Sequence, residues 1–256
     1  LFRLPVSVTM YVFDFMILIL QAFSCTGEEI LYGILLILIY TIVLDNCLMI
    51  GTEKVEIKVR CRLANFFAEQ YGVLGYLQAE NFANENYHAE FLKDINEEIG
   101  RNSKAPFVRN FRENYEGGYL PIYALVEVFS FGTLSKFYKN MLNKDKKAIA
   151  KTFGVGYTYF ESWLESISYV RNICAHYGRI YNAKLSKTPI LYKEYTQAGI
   201  GNNRIYGVLL CLKHLLKNDT HWNLFVDNIE LLFDKYECVQ ISTMGFPENW
   251  KELLQH

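Results

Sequence analysis

The sequence predicts an all-α protein, and three observations carry that prediction. Apolar residues recur at spacings of three and four along most of the chain, nothing alternates for long at period two, and no repeat or Gly/Ser linker divides it. With 256 residues, 51% of them hydrophobic and 21% charged, the chain can fill one large core or two modest ones. A disordered or fibrous chain is excluded.

The first elements are two apolar runs, Val8 to Phe23 and Ile30 to Leu44. A membrane-spanning helix needs about 20 apolar residues, and each run is shorter. Asp14 interrupts the first, Asp45 closes the second, and neither has a Lys or Arg at its edge. Both read as buried core segments, with no membrane partner, and the Ile-rich second run leaves helix and strand open. Arg3 is the single basic residue among the first fifty, and no small-residue cleavage pattern follows, so a signal peptide is not expected.

From Glu53 to Tyr71, Val55, Val59, Leu63 and Phe66 mark one face of a helix that Gly72 stops. Gly75 to Asn86 reads as loop and Tyr87 to Ile99 as a short polar helix. Pro121 sits where a first helical residue would, ahead of Ile122, Leu125, Val126 and Phe129, and Lys144 to Lys151 reads as a charged connection. The next helix spans Tyr159 to Tyr177. At about 100° per residue, Phe160, Trp163, Ile167, Val170 and Cys174 form its buried stripe. Asn172 and His176 then share the opposite face, while Arg171 falls at the stripe's edge. Asn203 to Leu216 and Trp222 to Phe233 give two further helices, and Gly245, Phe246, Pro247 and Trp250 a capped end.

Net charge is −1 overall, but its distribution is uneven. Arg101 to Lys217 holds 18 basic against seven acidic residues, which gives a polyanion one preferred stretch to meet. Within it, Arg101, Lys104, Arg109 and Arg112 alternate with Phe107, Phe111 and Tyr115. That mixture suits phosphate contact with base stacking, but a solvated face is the favoured reading of it. The six cysteines are scattered, without a Cys-x-x-Cys pair or metal-ligand spacing to histidine, so no zinc site or other metal is expected. Most have apolar neighbours, as in a protein of the reducing cytoplasm.

No phosphate loop, Gly-x-Ser-x-Gly elbow or His-Glu-x-x-His pair is present. His88, His214 and His221 have no acid or second histidine placed as a partner. His176 shares a helix face with Asn172, follows Arg171 by five residues and precedes Tyr177, Arg179, Tyr181, Asn182 and Lys184. Imidazole can take and give a proton near neutrality, guanidinium can stabilise an anionic phosphorus centre, and an amide can orient either. RNA brings its own nucleophile, the 2′-hydroxyl, so these three groups are sufficient for its cleavage. A capping or surface role for His176 competes with that reading. Cys174 points into the stripe, where core packing is favoured over a thiolate role.

The string Arg171-Asn172-Ile173-Cys174-Ala175-His176-Tyr177-Gly178-Arg179-Ile180-Tyr181-Asn182 resembles the signature of the abortive infection proteins of the AbiF and AbiD group, within the HEPN superfamily. Glu53 to Gly72, Gly75-Tyr76-Leu77, Pro121 to Glu127, Phe131 to Ser135 and Met244 to Trp250 are similar to other blocks of that group, in the same order. The resemblance implies a HEPN-like helical bundle with additional helices over residues 51–256, preceded by an apolar segment, 1–50, that is atypical for the family. It also implies a metal-independent, cofactor-free endoribonuclease of phage defence, working as a homodimer in the cytoplasm. In that reading His176 is the acid or base, Arg171 the phosphate stabiliser, Asn172 the orienting residue and Glu127 a supporting polar group. The implied partners are substrate RNA, a small noncoding RNA and an antitoxin. A noncatalytic RNA-binding module is one rival, and a membrane-associated effector using Val8 to Leu44 is another.

Overall fold

Residues 29–176, 178–236 and 239–255 are described by the computed structural model of the chain. They contain eleven α-helices and no strand, as the spacing predicts. The run Val8 to Phe23 lies outside the described residues. Two compact units form, Leu1–Glu53 with Tyr169–His256, and Lys54–Ser168.

In the first unit, the second apolar run is helical. It opens α1, Glu29–Tyr71, a single helix of 43 residues that continues through the stretch predicted separately. Ile39 to Met49 are buried almost without interruption, Ile42 and Asn46 being half-buried. A helix surrounded on all sides has no polar face, which is why this stretch shows no amphipathic period and left its type open. Leu36–Tyr71 is long and apolar enough to cross a membrane, and 61% of its most apolar window is buried inside the fold.

The same unit holds α8 (Lys193–Gln197), α9 (Ile205–Leu215), α10 (Trp222–Lys235) and α11 (Trp250–Leu254). The side chains of Leu212 on α9 and Phe225 on α10 pack around Gly51 of α1. Three donors secure the predicted capped tail by taking carbonyls of α11. Trp222 Nε1 donates to Leu254 at 2.7 Å, Lys213 Nζ to Leu253 at 2.7 Å and the Tyr206 hydroxyl to Trp250 at 3.1 Å. Phe246 closes this end, its ring 4.8 Å from Tyr206 and 5.4 Å from Trp250.

The second unit contains the end of α1, then α2 (Glu85–Arg101), α3 (Pro106–Asn114), α4 (Ile122–Val128), α5 (Phe131–Asn140), α6 (Asn143–Thr152) and most of α7 (Tyr157–Ala175). Val55, Val59, Leu63 and Phe67 are fully buried, so the stripe steps strictly by four and Phe66 is only half-buried. Gly72, at φ 80°, ends the helix as expected. Phe137 on α5 is the hub of an aromatic core, 5.1 Å from Phe67 and from Phe91, 5.7 Å from Phe82 and 6.1 Å from Phe129.

Three local readings change. The amphipathic pattern after Pro121 is two helices, because Phe129 and Ser130 turn extended. Ser130 Oγ caps α5 by accepting the Thr133 N–H at 3.1 Å, and the released Phe129 carbonyl accepts Arg60 Nη2 at 3.1 Å. Lys144 to Lys151 is not a connection but lies within helix α6. Its charges are partly internal: Asp145 accepts the Tyr71 hydroxyl at 2.6 Å, and Lys146 meets Glu161 at 2.9 Å. Buried, partnered charges defeat a reading that equates charge with solvent. Finally, Pro106 opens α3 inside the basic stretch read without an element.

Candidate functional site

The candidate site is built on the end of α7. Phe160, Trp163, Ile167, Val170 and Cys174 are each at most 4% exposed, while Asn172 and His176 are exposed. The stripe and its opposite face are therefore as the helical angles predict. The His176 backbone N–H donates to the carbonyls of Asn172 and Ile173, both at 3.2 Å, which holds the imidazole-bearing residue against the last turn. Arg171 is half-buried, with its Nε atom buried. Five helical residues rotate about 140°, so Arg171 and His176 leave the helix in different directions.

Gly178 fixes the chain's departure. Its N–H donates to the Ile173 carbonyl at 2.8 Å, and a Cβ there would stand 2.6 Å from Ile173 Cγ2. Only glycine permits that approach without displacement.

Beneath the motif lies a residue the sequence reading passed over. Asp45 of α1 is 3% exposed, and the Cys174 thiol donates to its Oδ1 at 3.8 Å. Burial lifts the Asp45 carboxyl to about 7, the thiol hydrogen bond opposing that rise, and burial also pushes the Cys174 thiol up. Cys174 is thus a protonated core residue. Asp45 was legible only as the acid closing an apolar run.

The residues after His176 divide into two kinds. Arg179 and Lys184 are exposed. Tyr181 is half-buried, its ring edge-on to Tyr40 at 5.6 Å, and its hydroxyl accepts the Gln240 N–H at 3.4 Å. Asn182 adopts φ 55°, and both its carbonyl and Oδ1 accept Arg204 Nη1, at 2.7 and 3.1 Å. Tyr181 and Asn182 therefore already serve the fold. Tyr177 lies outside the described residues.

In the other unit, Arg101 pairs with Glu97 at 3.4 Å and Glu98 at 3.5 Å, while Lys104, Arg109 and Arg112 are exposed. Glu127 is exposed on α4. The remaining described histidines have local partners: His88 Nε2 with the Tyr76 carbonyl at 2.8 Å, His214 with the Tyr195 hydroxyl at 2.9 Å, and His221 with Asp219 at 3.7 Å. That last contact corrects the expectation that His221 has no acid placed beside it. Among the described residues, no group of three or more His, Cys, Asp or Glu could hold a metal ion.

No curated protein and no solved structure matches the chain. The sequence model of one family, described as Abi-like protein, matches residues 37–182, from inside the apolar segment to just past the His176 motif. That match covers more than half of the sequence, and with it the chain belongs to the Abi-like protein family, a family of abortive infection proteins.

Proposed function

We propose that this protein is a metal-independent endoribonuclease of phage defence, with a HEPN-type site formed by Arg171, Asn172 and His176. The observation that carries the reading is the exposed pair Asn172 and His176, set on the face of α7 opposite its buried stripe, within the basic half of an abortive infection protein.

In the proposed reaction, the RNA 2′-oxygen attacks the adjacent phosphorus. A new O2′–P bond forms, the P–O5′ bond breaks, the 2′-hydroxyl proton passes to a base and the departing 5′-oxygen takes a proton from an acid. Imidazole can perform either transfer, and such catalysis typically contributes about 10²- to 10⁴-fold. Arginine stabilises the charge gathering on phosphorus, and Asn172 orients the ring or the phosphate. Because Arg171 and His176 leave one helix about 140° apart, a second copy of the chain supplies the facing arginine in this reading.

The test is RNA cleavage by wild type and His176→Ala, with and without EDTA. Wild type should leave 2′,3′-cyclic phosphate ends in both conditions and the variant should be inactive. Cleavage that survives the substitution rejects the assignment. Bound RNA with no cleavage by wild type would instead identify a binding module.

A further inference from the structure

The second unit contains a cavity of about 840 Å³, away from the Arg171–His176 motif in sequence and lined in part by Arg112 and Tyr115 of the basic, aromatic stretch. It lies between α2 and the segment from Arg112 to Leu120. Leu92, Ile95 and Ile99 give one wall an apolar strip, and Asn96 adds an exposed amide to the same face of α2. Opposite them stand Arg112, Tyr115 and Tyr119, the two phenols 55% and 50% exposed. Arg112 has no ion-pair partner among the described residues and is the one charged side chain among the described residues lining the cavity.

We propose that this cavity binds a nucleotide, either free or as one unpaired residue of an RNA strand. The proposal rests on the RNA reading above and names a second place where that RNA would be held. Each part of a nucleotide meets a matching group. A base is flat and apolar on its faces, which suits the α2 strip and the exposed phenols, since stacking on aromatic rings is tolerant of base identity. Its edge needs a donor and an acceptor, both of which a carboxamide supplies. The phosphate finds the Arg112 guanidinium, the side chain best shaped for bidentate contact. Pockets of roughly 300–1,000 Å³ are usual for small-molecule ligands, so the space suits one or two nucleotides and excludes a duplex.

The experiment uses the full chain carrying His176→Ala, so that bound RNA is not consumed. Binding of 5′-AMP, of a hexameric oligoadenylate and of inorganic phosphate is measured by calorimetry for that protein and for versions also carrying Arg112→Ala or Tyr119→Ala. Arg112 and Tyr119 are exposed, so unchanged thermal midpoints should certify folding. Binding of 5′-AMP weakened about tenfold or more by each substitution supports a free-nucleotide site. The same loss seen with the hexamer alone supports a strand-bound residue. Affinities unchanged by both substitutions, or inorganic phosphate binding as tightly as 5′-AMP, overturn the proposal. Cleavage by the protein with His176 intact is scored separately, so a failed pocket leaves the nuclease reading standing and a failed nuclease leaves the pocket testable.

Discussion

The thiol of Cys174 donates a hydrogen bond to the carboxylate of Asp45 at 3.8 Å, joining α7 to α1 beneath the Arg171–His176 motif. The folded environment raises the Asp45 carboxyl to about 7, with burial as the main cause. The proton held in the fold is released on unfolding, where the ordinary value is 3.8. Stability from this group is therefore complete below about pH 4, declines as pH rises and is gone above about 7. Asp45→Asn should flatten that decline, gaining up to about 1.4 kcal/mol per pH unit relative to wild type between those limits. Denaturant unfolding at pH 4.5, 6 and 7.5 checks it, and parallel curves for the two proteins would contradict it.

Gly178→Ala should disturb the turn that positions His176. The new methyl group would stand 2.6 Å from Ile173 Cγ2 and 3.1 Å from the Ile173 carbonyl oxygen, so either Ile173 or Gly178 itself has to shift. A stability loss on the order of 1–3 kcal/mol is expected, as for other overpacked sites, together with a larger fall in RNA cleavage than that loss explains. Comparing cleavage at a temperature where both proteins are fully folded separates the two effects.

Phe137→Ala should cost about 3–5 kcal/mol, the usual range for removing a buried aromatic side chain. Its ring has no exposed area and lies within 6.1 Å of four other phenylalanine rings. Thermal unfolding is the readout, and a loss under 1 kcal/mol would show that the cluster repacks.

Ser130→Ala removes the cap of α5 and should cost about 0.5–2 kcal/mol. Ser130→Asp should retain most of that stability, because a carboxylate accepts the same Thr133 N–H. Equal losses in the two variants would mean that the hydroxyl's contact with Thr133 Oγ1, at 2.8 Å, matters more than the cap.

The amphipathic helices were readable because a half-buried helix must alternate its polarity at its own period. That is how the sequence placed Asn172 and His176 on the open face of α7 and Cys174 on the closed one. Three things depended on tertiary contact. The run around Leu44 has no period because it is enclosed on every side, so only packing shows it to be helical. Asp145 and Lys146 read as solvent-facing until Tyr71 and Glu161 supply their partners. Asp45 acquires its altered proton affinity from burial beside a residue 129 positions away, a distance over which local sequence carries no information. Periodicity reports which side of a helix faces water, whereas the identity of what lies on the other side is set by the chain's return from afar.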